Sequence, residues 1–237
     1  MLRVENFSKR FGPVQALRDV SFTVRQGEIL GLIGPNGAGK TTLFECLAGV
    51  MPADSGTIFH KNQPLAPSGR SPLLYYMPDA IAPWPSQSVS WALDFTLGFF
   101  GGSPGNRSVV IKELDLQPLL AATIGTLSKG QLKRVLLALA LLTPHRILFA
   151  DEPFDGLDLR QTRDVARVFR AKAAAGRTFL LSIHQIADAA RVCDRFVLLS
   201  GGQVRGEGTL AELSAQAAIR TGSSTVTDLE EVFLALT

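Results

Sequence analysis

Short apolar runs alternate with longer amphipathic segments along most of the 237-residue chain. Apolar residues at helical spacing predict helices over 41–48, 131–142 and 159–175. The short apolar runs that predict strands are 22–24, 29–33, 57–59, 73–77, 147–150, 178–183 and 196–199. Strands that alternate with helices are typical of an α/β fold with a mainly parallel sheet. The last stretch, 196–205, is broken by Ser200-Gly201-Gly202 and predicts a hairpin instead.

The alternation is interrupted between residues 62 and 106, where prolines and glycines are concentrated. Segments 89–99 and 107–114 have helical spacing, so we predict a small helical subdomain at 83–126, inserted into a core formed by 1–82 and 127–220. Residues 221–237 are predicted to form a linker and a helix, which begins with a capping box of Thr227 and Glu230. We expect the apolar stripe of this helix to dock on the core, with a partner surface as the alternative; its residues are Leu229, Val232, Phe233 and Leu236.

Composition narrows the class of protein. Hydrophobic residues make up 46% of the chain and charged residues 19%, which is typical of a globular protein and excludes a disordered one. No apolar run reaches the roughly 20 residues needed to cross a bilayer, so we expect a cytoplasmic chain. The spacing of Cys46 and Cys193 predicts neither a disulfide framework nor a zinc site. A net charge of +3 is too small to predict nucleic-acid binding.

The most specific motif lies directly after the predicted strand 29–33. It reads Gly34-Pro35-Asn36-Gly37-Ala38-Gly39-Lys40-Thr41, which fits the phosphate-loop pattern G-x-x-x-x-G-K-[ST], and a predicted helix follows it. Glycines let the backbone wrap around phosphates with its N–H groups pointing inward. Lys40 can reach the phosphates, the Thr41 hydroxyl can bind Mg²⁺, and the helix presents its positive end to the anion.

Two adjacent carboxylates, Asp151 and Glu152, end the predicted strand 147–150. A buried strand offers little solvation to charged groups, so carboxylates at its end indicate a site; an exposed strand end is the alternative. Neighbouring strand residues point to opposite sides, which lets Asp151 hold the Mg²⁺ shell while Glu152 faces an attacking water. Together with the phosphate loop, the pair predicts a nucleotide hydrolysis site.

A third motif, Leu127-Ser128-Lys129-Gly130-Gln131, opens the predicted helix 131–142. Ser128 can cap this helix, which is a purely structural role. A serine and a glycine at a helix start also form a phosphate-binding N-terminus. Because one chain cannot easily wrap a single triphosphate with two separate helix starts, the motif indicates a phosphate shared between two copies of the chain.

These residues resemble the nucleotide-binding subunit of ATP-binding-cassette (ABC) transporters, and the resemblance covers essentially the whole chain. Residues 127–131 are similar to the LSGGQ signature of that family, with Lys129 in place of its first glycine. The resemblance implies a P-loop NTPase fold with an N-terminal antiparallel β portion and an inserted helical subdomain. It also implies that the chain binds ATP and Mg²⁺, and that two ATPase subunits, expected to be identical, drive a separate transmembrane permease from the inner face of the membrane.

The same resemblance implies roles for individual residues. Glu152, Lys40 and His184 are implied to be catalytic, His184 because it matches a histidine that senses the γ-phosphate; taken alone, a histidine at a strand end is more often structural. The implied magnesium ligands are Thr41, Asp151 and Asp79. The residues implied to contact ATP are Phe11, where the family stacks an aromatic ring on adenine, and Gly34, Pro35, Asn36, Gly37, Ala38, Gly39, Lys40, Thr41, Thr42, Asp79, Ser128, Gly130, Gln131 and Asp158.

One position departs from the family pattern. Asp79 follows Tyr76-Met77-Pro78, where the family has glutamine. An ionised carboxylate only accepts hydrogen bonds, is shorter than the glutamine side chain and adds negative charge near a triphosphate. We therefore expect Asp79 to change the coupling of transport to hydrolysis more than ATP binding, and to contact Mg²⁺ through a water.

The segment 228–234 resembles that of bacterial exporters of the ABC type-2 branch, which implies export of drugs, polysaccharides or lipids. An importer ATPase is the nearest alternative. Three other classes stay open: a soluble regulatory or DNA-associated ABC ATPase without a membrane partner, a P-loop kinase, and a nucleotide-binding module that has lost turnover.

Overall fold

The computed structural model describes residues 1–79, 81–222 and 228–237. Its strands are β1 (Leu2–Phe11), β2 (Val14–Val24), β3 (Ile29–Ile33), β4 (Ser55–His60), β5 (Gln63–Pro64), β6 (Leu74–Met77), β7 (Ile147–Asp151), β8 (Thr178–Ile183), β9 (Arg195–Ser200) and β10 (Gln203–Gly208). Its helices are α1 (Lys40–Ala48), α2 (Val89–Phe100), α3 (Pro104–Glu113), α4 (Lys129–Leu142), α5 (Leu159–Ala174), α6 (Ile186–Val192), α7 (Leu210–Thr221) and α8 (Leu229–Leu236). Within these ranges, every helix falls short of the length and apolarity that crossing a bilayer requires.

A larger sheet forms the centre of the described chain, with strand order β10-β9-β3-β8-β7-β6. The strands from β9 to β6 are parallel, and β10 pairs antiparallel with β9 as a hairpin. The predicted mainly parallel α/β sheet and the predicted hairpin are therefore confirmed. Every residue of β3, β7 and β8 is buried, because both faces of the sheet are covered.

A smaller antiparallel sheet, with order β2-β1-β4-β5, covers one face of the larger sheet together with α1. Phe7 and Val20 from this sheet share a core with Leu30, Phe44 and Phe149. The hydrophobic pattern missed β1. A bulge explains this, since the register shifts between Val4 and Phe7 and the period-2 alternation of apolar residues is lost there.

Helices α2 and α3 lie between β6 and α4 in the sequence and pack against α4. They occupy the two segments predicted to be helical. Ser88 caps α2, because its hydroxyl accepts a hydrogen bond from the backbone N–H of Trp91. Helix α3 begins at Pro104, earlier than predicted, because proline suits the first position of a helix. The division of the chain into an insert at 83–126 and a core stays a prediction.

The C-terminal helix α8 packs against α6 and α7. Its residues Leu229, Val232 and Leu236 are buried in the core, which confirms the predicted docking. The linker prediction is wrong at its first residue, because Thr221 is the last residue of α7, a helix that the pattern missed. The predicted capping box uses Thr227, which lies outside the described residues.

Candidate active site

The carboxyl ends of β3 and β7 open into a cavity of about 470 Å³. The strand between them, β8, contributes side chains that reach the same end of the sheet. Loops that follow neighbouring parallel strands form ligand sites in open α/β sheets. The residues that line the cavity are Val14, Gln15, Ala16, Pro35, Asn36, Gly37, Gly39, Lys40, Thr41, Thr42, Asp79, Asp151, Glu152, Gly201 and Gly202.

The phosphate loop turns tightly between β3 and α1, and two glycines make this turn possible. A Cβ atom on Gly34 would lie 2.3 Å from the carbonyl oxygen of Leu199, so the neighbouring hairpin leaves no room for a side chain. Gly39, the residue before α1, has a φ of +101°, which favours glycine. The result is an open loop above the N-terminus of α1, where the helix dipole favours anions.

Lys40 is the first residue of α1, and its ammonium group is folded back onto the loop. Its Nζ donates hydrogen bonds to the carbonyl oxygens of Gly34 at 2.8 Å and Pro35 at 3.3 Å. The same Nζ lies 3.8 Å from Oε1 of Glu152. The side chain is 7% exposed, so its positive charge is buried beneath the backbone of the phosphate loop.

Thr41, in the first turn of α1, contacts Asp151 at the end of β7. The Thr41 hydroxyl donates to Oδ2 of Asp151 at 2.8 Å, and the Ser182 hydroxyl donates to Oδ1 of the same carboxylate. In the described residues, no group of three or more His, Cys, Asp or Glu side chains is arranged to hold a metal. Two hard oxygen donors nevertheless suit Mg²⁺, which commonly takes its other ligands from phosphates and water.

Glu152 follows β7 directly and contacts His184. The Oε2 atom of Glu152 lies 2.5 Å from Nδ1 of His184, which follows β8. The backbone N–H of Glu152 donates to the Ser182 hydroxyl at 3.0 Å. Ser182 thus hydrogen-bonds to the side chain of Asp151 and to the backbone of Glu152, which connects both residues of the carboxylate pair to β8.

Asp79 lines the cavity and pairs with a residue that the sequence did not single out. Its Oδ1 accepts a hydrogen bond from Nζ of Lys133 in α4 at 2.7 Å. The Lys133 side chain is 3% exposed, whereas that of Asp79 is 34% exposed. The predicted contact between Asp79 and a magnesium-bound water stays a prediction.

Several predicted site residues lie outside the cavity. Phe11 is 45% exposed beside Nζ of Lys9, which lies 5.4 Å from the ring centroid. Asp158 caps α5 through its Oδ1 and lines a separate cavity of about 890 Å³, between α3 and α5, that contains none of the phosphate-loop residues.

The signature segment also has structural roles in this chain. The Ser128 hydroxyl accepts from the backbone N–H of Gln131 at 3.3 Å, and the Gln131 side chain accepts from the backbone N–H of Ser128 at 2.9 Å. Gly130 packs against the loop after β7, since a Cβ atom there would lie 2.4 Å from the carbonyl oxygen of Gly156. The structural alternative for Ser128 is therefore realised, and its contact with a second copy stays a prediction.

Sequence reasoning missed Ser182 and the backbone of Gly201 and Gly202, which close the cavity beside the phosphate loop. The position of Ser182 carried a signal, because it is a hydroxyl residue that interrupts the apolar run 179–183 and lies two residues before His184, on the same face of an extended chain. The hairpin glycines carried a weaker signal, since glycines in a turn need no function.

A phosphate loop between a buried strand and a helix, together with carboxylates on a nearby strand, defines the site as that of a P-loop ATPase. A family model described as ABC transporter matches residues 17–155. The hemin import ATP-binding protein HmuV of Thermobifida fusca is 35% identical over 225 residues, which cover 90% of this chain and 78% of that protein. The Nod factor export ATP-binding protein I of Burkholderia lata is 34% identical over 209 residues, which cover 86% and 69%.

A solved structure of the ATP-binding subunit of an ABC transporter superposes with a TM-score of 0.87 at 29% sequence identity. The match covers 100% of this chain and 99% of that chain. The chain therefore belongs to the ABC transporter family, as its motifs predicted. It is an ATP-binding-cassette ATPase, of the class of subunits that bind nucleotide and hydrolyse ATP to power transport.

Proposed function

We propose that this chain is the ATPase subunit of an exporter, and that two copies act on a transmembrane permease at the cytoplasmic face of the membrane. The observation that carries the proposal is the convergence of three groups on one cavity: Lys40, the Thr41–Asp151 pair, and Glu152 with His184 behind it as its hydrogen-bond partner. A nucleotide phosphate chain in this cavity meets a fixed cation, a metal-binding pair and a base with its own orienting partner.

Each group has a distinct task in the proposed mechanism. Lys40 and the N–H groups of the phosphate loop bind the β- and γ-phosphates and stabilise the charge that develops during transfer. Glu152 accepts a hydrogen bond from the attacking water and orients it, while His184 holds the Glu152 carboxylate and contacts the γ-phosphate.

Thr41 and Asp151 are the residues proposed to hold Mg²⁺, which when bound neutralises charge on the phosphates. Ser182 keeps the Asp151 carboxylate in place by donating to its Oδ1. The donor set consists of oxygens alone, which favours Mg²⁺ over softer metals.

The ATP site is tested by Lys40→Met, which keeps an unbranched apolar side chain of nearly the same length but removes the charge. We expect ATP affinity to fall at least tenfold in equilibrium binding, because the ammonium is buried at the phosphate loop. The matched control is Lys61→Met, at an exposed turn far from the cavity residues in sequence. Wild-type affinity in the Lys40→Met variant would reject the site.

Dimerisation is supported by the position of the signature segment. Ser128 is exposed at the start of α4 and does not line the cavity of its own chain. If ATP joins two copies, light scattering of Glu152→Gln with Mg²⁺ and ATP should give twice the 25.5 kDa mass of one chain. Adding Ser128→Arg should keep the protein monomeric; a monomer in both cases would contradict the homodimer.

A permease contact is supported by an aromatic groove. Trp84, Phe95, Phe99 and Phe100 line an apolar cavity of about 290 Å³, and Trp91 packs against Trp84 and Phe95 beside it. Phe99 is 73% exposed and Phe95 is 45% exposed. Exposed apolar clusters of this kind mark interaction sites. The groove lies on the predicted helical insert, which would pass the motion of the ATPase to the permease.

The contact is tested with the transmembrane subunit that co-purifies with this chain from membranes. Phe99→Ser should abolish the stimulation of ATPase activity by the permease while the isolated chain keeps its activity. The control is Leu234→Ser, which removes an equally exposed apolar residue from α8. Equal stimulation of both variants would reject the groove as the contact.

Export is the proposed direction because of the C-terminal resemblance, and relatives of both directions are known. The test uses inside-out membrane vesicles that contain the complex and a compound to which deletion of the gene sensitises the cells. Export predicts accumulation of the compound inside the vesicles when ATP is added outside. ATP-driven loss of preloaded compound would instead establish an importer.

A further inference from the structure

The ion pair between Asp79 and Lys133 joins the cavity to the buried face of α4. Asp79 lies on the cavity wall. Within the described residues, the hydrogen bond from Lys133 to Asp79 is the one that connects Lys133 to the cavity lining. The Nζ–Oδ1 distance is 2.7 Å, and the Lys133 side chain is 3% exposed. A buried ammonium is costly unless it is paired, so the two side chains must be considered as one unit.

The cavity wall carries more negative than positive charge, which the ion pair between Asp79 and Lys133 reduces. The described lining includes three carboxylates, Asp79, Asp151 and Glu152, against the single ammonium of Lys40. Asp151 and Glu152 have their own partners, in Thr41 and His184. A polyphosphate adds further negative charge, and an uncompensated carboxylate at residue 79 would repel it.

Lys133 is also placed where a lysine does not help the helix. It is the fifth residue of α4, beyond the first turn in which the helix dipole acts, and the first turn contains no acidic residue that could pair with its buried ammonium. The presence of a buried lysine at residue 133 is therefore explained better by its ion pair with Asp79 at the cavity than by the stability of α4.

We propose that Lys133 is a positioning residue of the ATP site, which neutralises Asp79 and holds its Oδ1, leaving Oδ2 for the cavity. The inference rests on the proposed function, because it assumes that the cavity takes the phosphates of ATP. It follows that a carboxylate at residue 79 is compatible with ATP binding only when residue 133 carries a positive charge. Replacing both residues by neutral amides should therefore weaken ATP binding less than replacing Lys133 alone.

The test compares Lys133→Gln, Asp79→Gln, the double variant and a control. The control is Lys172→Gln, which breaks a similar lysine–carboxylate pair between α5 and Glu113 of α3, away from the cavity. ATP binding is measured with excess Mg²⁺ and with EDTA, and the melting temperature is recorded for each variant.

Lys133→Gln should weaken ATP binding about tenfold, and more strongly in EDTA, where no Mg²⁺ screens the phosphates from Asp79. Asp79→Gln should lower the melting temperature, because the ammonium loses its partner. In the Asp79→Gln background, adding Lys133→Gln should change ATP affinity by less than about twofold, so the loss seen in the wild-type background disappears, and Lys172→Gln should change only the melting temperature.

Unchanged ATP binding by Lys133→Gln, with a lower melting temperature, would make Lys133 merely structural and overturn the proposal. If Lys133→Gln does not fold, Lys133→His replaces it. The introduced imidazole is charged at low pH and neutral at high pH, so one protein provides both charge states. Relative to wild type, that variant should bind ATP more tightly at pH 5.5 than at pH 8.5, and equal ratios would overturn the proposal. Failure of the wild type itself to bind ATP would reject the proposed function instead.

Discussion

Glu152 has a backbone conformation that is unfavourable for a residue with a side chain. Its φ is +49°, in the left-handed region, which costs about 1–3 kcal/mol for a residue other than glycine. Its N–H donates to Ser182 and its carbonyl oxygen accepts from the N–H of Asp155 at 3.2 Å, so both neighbours fix the turn. In this conformation the Glu152 carboxylate contacts His184.

Ser182 provides a prediction at this scale. Ser182→Ala leaves Oδ1 of Asp151 and the N–H of Glu152 without their shared partner in a fully buried place. We expect a loss of about 1–3 kcal/mol in the free energy of unfolding, measured with urea, and a lower kcat for phosphate release. Ser108→Ala, on the exposed side of α3, is the control. An unchanged kcat would show that Ser182 does not position the carboxylates.

The motif residues could be predicted from the sequence because the phosphate loop is contiguous and its chemistry depends on residue type. The contacts of Ser182 and Lys133 could not be predicted, because each joins residues that are far apart in the sequence. The left-handed turn at Glu152 was likewise unpredictable, since nothing but the tertiary contacts imposes it.

At the scale of elements, α4 is fixed at both ends. Ser128 and Gln131 form the capping box at its N-terminus. At its C-terminus, Arg177 donates to the carbonyl oxygens of Ala140 at 2.8 Å and Leu141 at 3.0 Å. Burial lowers the pKa of Arg177 to about 10, so the guanidinium is still charged at neutral pH. The helix that follows the signature segment is thus stabilised by hydrogen bonds at both ends.

Removal of the Arg177 side chain tests this support. Arg177→Met should lower the free energy of unfolding by about 3 kcal/mol, because two carbonyl groups of α4 lose a charged donor. The control is Arg167→Met, which breaks the exposed pair with Asp164 and should cost less than about 1 kcal/mol. Urea denaturation measures both; equal costs would contradict the role of Arg177.

A second contact of α4 makes stability depend on pH. The hydrogen bond from Lys129 lowers the pKa of Asp155 below its usual 3.8, and the two groups lie 2.5 Å apart. A carboxyl whose pKa is lower in the folded state stabilises the fold above its unfolded pKa and loses that effect as the pH falls through its folded pKa. Wild type should therefore exceed Asp155→Asn in urea midpoint at pH 6, and the difference should shrink below about pH 4. A constant difference over this range would contradict the pair.

At the scale of the whole molecule, the order of the strands brings the site together. Placing β8 between β3 and β7 lets Ser182 and His184 reach the two carboxylates, while Thr41 reaches Asp151 across the same edge. The runs of mostly apolar residues predicted β3 and β8 with their observed bounds, because strands buried on both faces are rich in apolar residues. Strand order could not be read from such runs, since every buried strand has the same apolar character.

Turnover in Glu152→Gln tests the central claim most directly. The substitution keeps the size of the side chain and removes the negative charge that orients the attacking water. The account predicts that the variant binds ATP as tightly as wild type, while phosphate release in the presence of Mg²⁺ falls at least a hundredfold. Retention of most of the wild-type rate would contradict it, because the reaction would then need no carboxylate at residue 152.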